Sequence, residues 1–347
     1  MNQRLTPTTL VFISWLPRVC PDASKYTIIG MRNTDSYPVF PAGSRAGGAV
    51  ETMENLFFEI GNYAIWIFVV SSIAAMGLNL TVREVLAPWK KKKLLVISLI
   101  ANFVLVPAFA LLIITIIPLK PDLAAGLMII AAAAGAPSLP KAMDIVGGNV
   151  AYAVGLTMVL ILATILFMPI MLPFLIGGVT VDQSSTALYL VVFMLAPLII
   201  TMAIRAWAPG VATRIYPVVD RASDLSIIAI LLIYTLYLFT SDFSMRAGAL
   251  LGLEGTLVAA LFILGSFGIG YLLGGPDPRN REVLAFGTGF RNVSAALVVI
   301  SANFTNPQIL FMILVIAAFG IVFMMIIGGW LYRRKRRARR RGAQAVL

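Results

Sequence analysis

Apolar runs of membrane-spanning length recur along this chain from Leu56 to Trp330, and they restrict its fold more than any other feature. A bilayer core about 30 Å thick requires about 20 apolar residues per helix. The runs of suitable length lie at residues 56–80, 94–118, 123–147, 150–176, 186–207, 223–241, 250–273, 281–303 and 307–331. The pattern predicts an all-α polytopic membrane protein with about nine transmembrane helices.

Composition restricts the function further. Of the residues, 60% are hydrophobic and 12% are charged, whereas soluble domains carry about 25% charged residues. Histidine is absent and Cys20 is the only cysteine, which excludes histidine acid–base chemistry, Cys/His zinc sites and dithiol redox centres. We therefore expect no enzyme and no cofactor, apart from a sodium ion considered below.

The net charge of +12 at pH 7 comes mainly from basic residues between the apolar runs and at the C-terminal end. Lys and Arg concentrate in segments 83–93, 205–221, 279–281 and 333–341. Because cytoplasmic loops of membrane proteins collect basic residues, this distribution predicts a cytoplasmic C-terminus and, with an odd number of spans, an external N-terminus. The charge therefore reports membrane topology, and we expect the lipid bilayer rather than nucleic acid as its partner.

The chain divides into three regions by composition. Residues 1–52 are rich in turn-forming residues, and we interpret them as a disordered extension or as residues preceding a true start at Met53. A signal peptide is the alternative for this segment. Residues 53–332 form the predicted transmembrane domain, and residues 333–347 form a basic cytoplasmic tail whose plainest role is a topology anchor.

Two of the apolar runs contain a basic residue beside residues that interrupt helices. Lys141 follows Pro137 and Pro140 in the third run, and Arg291 follows a glycine-containing stretch, residues 287–290, in the eighth. We predict a broken helix at both places. Non-helical backbone at membrane depth is tolerated only where protein or a water-filled cavity satisfies it, and paired breaks in two halves of a chain indicate a transporter binding site.

The intramembrane charges are the candidate functional groups. A Lys or Arg at a helix centre costs about 2.5 to 3.5 kcal/mol on insertion scales, so it is normally retained for a pathway, a partner or a ligand. We predict that Lys141, Arg291 and Asn292 bind an anionic substrate. The neighbouring residues predicted to complete the binding site are Ser138, Pro137, Pro140, Thr288 and Phe290.

Two alternatives concern the charges near the first break. The long side chain of Lys141 could instead extend to the membrane interface. Asp144 lies three residues after Lys141 and is either a static counter-ion to Lys141 or Arg291, or a carboxylate that exchanges protons.

Four short motifs near the predicted breaks carry a family resemblance. They are Gly147-Gly148-Asn149-Val150-Ala151, Val154-Gly155-Leu156-Thr157, Gly275-Pro276-Asp277-Pro278 and the stretch from Gly287-Thr288-Gly289-Phe290-Arg291-Asn292 to Ala296. Together they resemble the bile acid:sodium symporter family, in a bacterial branch, over about residues 54–332.

The resemblance implies an architecture and a location. Family members have nine or ten helices in inverted repeats, with two broken helices that cross in a core domain, and this core moves against a panel domain. Here the implied core is about residues 123–176 and 250–331, and the implied panel is about 56–118 and 186–241. The expected location is a bacterial inner (plasma) membrane.

The resemblance carries over the family's sodium sites only in part. Family members with mapped sites place Ser and Asn at the first break, Thr in the next helix, and Glu and Gln at the second break. The corresponding positions here hold Leu139, Pro140, Thr157, Gly287 and Arg291, followed by Asn292. The anionic ligand is absent, and a fixed positive charge lies where a sodium ion would be repelled.

The leading hypothesis is a secondary active transporter of a small organic anion, a carboxylate or sulfonate of the bile-acid-like class, that works by alternating access without sodium. The alternative within transport is a sodium-coupled symporter with rearranged ligands from Ser138, Thr157, Asn292 and Asp144. A channel or a membrane receptor is the alternative of another class, because intramembrane charges also line ion pathways.

Overall fold

A computed structural model describes residues 48–81, 84, 87–176, 181–239, 252–304 and 306–344 of the protein. All regular elements in these ranges are helices, which confirms the all-α prediction. The predicted extension falls almost wholly on residues 1–47, outside the described residues, and the first described helix already begins at Gly48.

The first half of the chain contains helices α1 to α4. Its bounds are α1 Gly48–Asn79; α2, made of a 3₁₀ turn Ala87–Lys91, an α-helix Lys92–Ile100, a π-helical turn Ala101–Leu105 and an α-helix Val106–Ile116; α3a Pro121–Ala132; α3b Leu139–Val146; and α4 Val150–Leu175.

The remaining helices run from α5 to α9. Their bounds are α5, made of Gln183–Leu190, a π-helical turn Val191–Leu195 and Ala196–Trp207; α6 Pro209–Phe239; α7 Gly252–Leu273; α8a Pro278–Gly289; α8b Val293–Asn303; and α9 Pro307–Gln344.

Seven helices in the described part of the chain are long and apolar enough to cross a membrane, so the protein is an integral membrane protein. They are α1, α2, α4, α5, α7, α8 (with α8a and α8b counted as one span) and α9. The predicted count of nine is therefore approximate. The third predicted span is divided into the short helices α3a and α3b, and the sixth, α6, carries several charged residues in its first half.

The helices pack in two groups. Helix α1 packs mainly against α6 and the second half of α5, whereas α3, α4, α7, α8 and α9 pack mainly among themselves. Contacts of α1 with α8b, and of the first half of α5 with α4 and α8b, join the two groups. Helix α2 lies against α3a, α7 and the start of α4. The implied panel segment 56–118 is therefore divided by its contacts, because α1 packs with the panel helices and α2 packs with the core helices. Movement of one group against the other stays a prediction.

The two broken helices cross at their breaks. The backbone N–H of Asn292, in the break of α8, donates to the carbonyl oxygen of Ala133, in the break of α3, at 2.9 Å. Each broken helix is followed directly by a long helix, α4 or α9. This arrangement confirms the predicted pair of broken, crossing helices.

The first break has a different local cause from the one expected. Helix α3a already ends at Ala132, five residues before Pro137, and the chain turns at Gly135, whose φ is +81°. A Cβ on Gly135 would lie 2.7 Å from the backbone nitrogen of Ile161 in α4. Glycine is required there by both backbone conformation and space, whereas Pro140 lies in the first turn of α3b, where proline is tolerated.

The second break is short. Residues 290–292 are non-helical, whereas Gly287 and Gly289 lie inside α8a, so these two glycines do not form the break. Their role is close packing. A Cβ on Gly287 would lie 3.2 Å from Leu139, and one on Gly289 would lie 3.2 Å from Phe267.

Candidate functional site

A cavity of about 710 Å³ lies between the panel helices α1 and α6 and the core helices α3b, α8b and α9. At one end it is lined by the exposed polar side chains of Asn79, Asp144 and Asp224. At the other end its walls include Ile263 and Ile316, which are buried. The cavity therefore opens at the polar end.

The open end of the cavity belongs to the predicted cytoplasmic side. The lining residues there come from the end of α1 and the first half of α6, next to the basic segments 83–93 and 205–221. With the predicted topology, the cavity opens toward the cytoplasm.

Arg291 lies in the break of α8 at the crossing point, and only 5% of its surface is exposed. All three guanidinium nitrogens donate hydrogen bonds. Nε donates to the carbonyl of Ile130 at 3.1 Å, Nη2 donates to the carbonyl of Ala131, and Nη1 donates to Oδ1 of Asn102 at 2.8 Å and more weakly to the carbonyl of Thr288 at 3.5 Å. The guanidinium therefore binds the last carbonyls of α3a.

This position of Arg291 follows from helix electrostatics. The C-terminus of a helix presents unpaired carbonyls and a partial negative charge, which a cation stabilises. Asn102 lies in the π-helical turn of α2, and its amide nitrogen donates to the carbonyl of Ser98 at 2.9 Å, which directs its oxygen toward the guanidinium. Sequence reasoning placed Arg291 in the break but gave no indication of these partners.

Lys141 lies on α3b and faces the panel helix α6. Its ammonium makes ion pairs with Asp224 at 2.7 Å and with Asp220 at 3.2 Å. Its side chain is 46% exposed and lines the cavity. The predicted counter-ion Asp144 is not among these ion-pair partners, and its role stays a prediction.

Sequence reasoning missed Asp220 and Asp224. Both line the cavity, and they are four residues apart on α6, so they lie on one face of the helix. That spacing, where the basic segment 205–221 meets the apolar run 223–241, is the signal that could have found them.

The other predicted substrate-binding residues fall into two groups. The residues that line the cavity are Pro137, Ser138, Pro140, Asp144 and Phe290. The residues that do not are Asn292, Thr288 and Thr157, all fully buried. The hydroxyl of Thr288 donates to the carbonyl of Leu284, and that of Thr157 donates to the carbonyl of Ala153.

Asn292 begins helix α8b. Its Oδ1 accepts the backbone N–H of Ala295 at 3.0 Å, which makes it the N-cap, and its Nδ2 is buried without a partner in the described residues. The four residues proposed above as rearranged sodium ligands therefore do not lie together. Ser138 and Asp144 face the cavity, whereas Thr157 and Asn292 lie inside the packed core helices.

A comparison with protein-family models matches residues 65–244 to the Sodium Bile acid symporter family. The match covers just over half of the chain. The protein belongs to this family. A search of curated proteins finds no match to the chain.

Membership places the protein in a family of transporters, which fits the expectation that it is not an enzyme. The matched region runs from α1 through α6 and includes the first break with Lys141. The second break with Arg291 lies outside it. The resemblance of the second break therefore rests on its motif and on the observed crossing geometry.

Lys335 is a second basic residue of this symporter-family protein that donates hydrogen bonds to carbonyl oxygens at the end of a short helix. Its ammonium donates to Oε2 of Glu282 at 2.6 Å, to the carbonyl of Val146 at 2.9 Å and to that of Gly147 at 3.3 Å. Lys335 thus caps the C-terminus of α3b, as Arg291 caps that of α3a. It belongs to the predicted basic tail, residues 333–347, most of which is helical because α9 continues to Gln344. The cytoplasmic location of this tail stays a prediction.

A hydroxyl pair connects the panel and the core inside the cavity of this symporter-family protein. The hydroxyls of Ser72 in α1 and Ser294 in α8b are 2.7 Å apart, and both residues line the cavity. Any movement of core against panel has to break this hydrogen bond and the ion pairs of Lys141.

Proposed function

We propose that this protein is a secondary active transporter of a small organic anion, a carboxylate or sulfonate of the bile-acid-like class, that works by alternating access and without sodium. Membership of the symporter family supports transport of an organic anion. The cavity between panel and core supports alternating access, because exposed polar side chains line one end of it and buried apolar side chains line the other.

The observation that carries the anion assignment is the position of two helix N-termini. Ser138 at the start of α3b, and Val293 and Ser294 in the first turn of α8b, line the cavity. Half-helix N-termini carry a partial positive charge and unpaired N–H groups, which bind carboxylates in transporters with broken helices. The hydroxyls of Ser138 and Ser294 add donors for the same group.

The rest of the cavity suits an amphipathic anion. The apolar side chains that line it include Phe68, Met76, Ile227, Phe290 and Met324. A ligand with a large apolar body removes this surface from water, at about 25 cal/mol per Å². The anionic group then lies at the helix N-termini and the body lies along α1 and α6.

Lys141 supplies an exchangeable charge at the site. Its two carboxylate partners and its exposure put the pair in a high-dielectric setting, where such pairs contribute about 0 to 1 kcal/mol. A substrate carboxylate can therefore compete with Asp220 and Asp224 for this ammonium.

Arg291 supports independence from sodium. Its guanidinium uses the carbonyls of Ile130 and Ala131 and the oxygen of Asn102, which are the kind of ligands that a sodium ion would need at this crossing. Two cations a few ångströms apart repel strongly in low dielectric. The sodium-coupled alternative keeps one favourable observation, the exposed carboxylate of Asp144 in the cavity.

Counterflow in proteoliposomes tests the proposal. The purified protein is loaded with unlabelled taurocholate, and then with a panel of other carboxylates and sulfonates, in choline buffer. We expect saturable uptake and transient accumulation of the labelled anion, because a carrier exchanges its ligand. Protein-free liposomes are the control. Non-saturable flux without counterflow would identify a channel, and absence of binding across the panel would exclude the anion class.

A further inference from the structure

Four aromatic rings form a cluster at the end of the bundle opposite the cavity mouth. They belong to Phe58 in α1, Tyr234 and Tyr237 in α6, and Phe311 in α9. The ring centroids are 4.8 Å apart for Phe58 and Tyr237, and 5.7 Å apart for Tyr234 and Phe311. The cluster closes the bundle where the cavity ends.

The distance from cavity to cluster is short. On α6 the lining residue nearest the cluster is Ile228, and on α9 it is Ile316. Tyr234 lies six residues beyond the first and Phe311 five residues before the second, which is about 9 Å and about 7.5 Å along the helices. Between one and two turns of helix therefore separate the cavity from the cluster along α6 and α9.

The cluster joins the two packing groups. Phe58, Tyr234 and Tyr237 belong to panel helices, and Phe311 belongs to the core helix α9. Phe311 contacts Tyr234 edge to face and Tyr237 in a stacked arrangement. These contacts have to separate if the core moves against the panel.

Two buried polar atoms near the cluster have no hydrogen-bond partner among the described residues. They are the hydroxyl of Tyr234 and Oδ1 of Asn62. The hydroxyl lies directly against Gly61, where a Cβ would be 2.7 Å from it. A buried polar group without a partner is unfavourable and gains a partner when water reaches it.

We propose that Phe58, Tyr234, Tyr237 and Phe311 form the outer gate of the transporter, closed in this inward-open structure. In the outward-open state the rings of α6 and α9 separate, and water reaches Tyr234 and Asn62. The buried polar atoms lower the stability of the closed gate enough for it to open. The inference rests on the proposed alternating access, but the gate can be measured without any substrate.

The test is the reactivity of one cysteine behind the gate. Ala64 is 9% exposed and lies about one turn from Gly61. Cys20 is replaced by Ser and Ala64 by Cys, and the protein in sealed proteoliposomes is treated with a membrane-impermeant maleimide. The reagent is added to the side opposite that from which a cysteine at Gly210 reacts.

Phe311→Ala should raise the alkylation rate about tenfold, because it removes both ring contacts across the gate. Tyr234→Phe should lower the rate, because it removes the unpaired hydroxyl that favours opening. Phe193→Ala is the matched control, since Phe193 packs on Trp66 within the panel at 4.2 Å between centroids, and it should leave the rate unchanged.

An unchanged rate in both Phe311→Ala and Tyr234→Phe, or an equal rise in Phe193→Ala, would overturn the gate. Phe311→Leu replaces Phe311→Ala if that variant does not fold, with the same expected direction. Failure of the counterflow experiment with a normal gate response would instead contradict the proposed substrate class.

Discussion

Arg291 donates hydrogen bonds from all three of its guanidinium nitrogens, and its partners come from two other helices. The burial cost of an intramembrane charge predicted that it has a partner or a ligand. The sequence did not predict which groups are the partners of Arg291, because they include main-chain carbonyls at the end of α3a. Carbonyls are present at every residue, so only the crossing of two helices selects Ile130 and Ala131.

We expect the ammonium group of Lys141 to bind the anionic group of the substrate. Lys141→Met should raise the KM for the transported anion about tenfold, because one charge-assisted hydrogen bond is lost. Asp224→Asn should lower the KM, because it frees the ammonium from its closest partner. Uptake kinetics in proteoliposomes measure both, with the exposed Lys90→Met as control. A KM that rises in Asp224→Asn would contradict competition between substrate and Asp224.

Lys335 is expected to act on stability. Lys335→Met leaves Glu282 and two helix-end carbonyls without their shared donor, which should lower the free energy of unfolding by about 1 to 3 kcal/mol. Arg336→Met, at an exposed position in the same basic stretch, should change it little. Thermal unfolding of the detergent-purified variants compares the two. Equal stability of both variants would exclude a capping role for Lys335.

At the scale of elements, the helices were predictable and their contacts were not. The length of the apolar runs predicted α4, α5 and α7 within a few residues, because each has to span the same apolar layer. Helices α1 and α2 begin earlier, and α9 ends later, than the apolar runs that predicted them. The grouping of α2 with the core was missed, because an apolar helix carries no sequence signal for which neighbour it packs against.

The two breaks were likewise predictable in approximate position but not in the contacts that cause them. Prolines and glycines predicted their positions approximately. However, the residue that turns the first break is Gly135, which looks in sequence like one more small residue in an alanine-rich stretch. Its requirement for glycine comes from Leu160 and Ile161 in α4, which are 25 and 26 residues further along the chain and become neighbours only in the fold.

The element-scale prediction concerns this glycine. Gly135→Ala should lower the free energy of unfolding by at least about 2 kcal/mol, because the left-handed conformation alone costs a side chain about 1 to 2 kcal/mol and a Cβ meets the α4 backbone. Gly268→Ala is the control, since a Cβ there meets nothing within 4 Å. Thermal unfolding should show the first variant weakened and the second unchanged or slightly stabilised. Similar stability of both would contradict the account of the break.

At the scale of the whole molecule, the cavity and the proposed gate fit one state of the proposed carrier. The cavity opens at the end rich in basic residues, and the aromatic cluster closes the other end. The division into moving core and panel was implied by the family resemblance and stays a proposal. The hydrogen bond between Ser72 and Ser294 and the ion pairs of Lys141 are the contacts that such a movement has to exchange.

Membrane topology is the prediction that orients this state. Single cysteines at Lys90 and Arg214, in a background without Cys20, should react with an impermeant maleimide only from the cytoplasmic side, because basic loops stay inside. A cysteine at Lys120 should react only from outside. Labelling of intact cells and inverted vesicles distinguishes the sides. Reversed labelling would make this structure outward-open and would exchange the sides of cavity and gate.

The central claim is that Arg291 takes the place of a coupling cation in an anion carrier. The most direct measurement is the initial rate of taurocholate uptake, or of the best anion from the counterflow panel, in proteoliposomes with sodium replaced stepwise by choline. The account predicts no sodium dependence in the wild type. In Arg291→Gln it predicts either loss of uptake in a folded protein or a new dependence on sodium, because the repelling charge is gone. Strict sodium dependence in the wild type, together with unchanged uptake in Arg291→Gln, would contradict the claim.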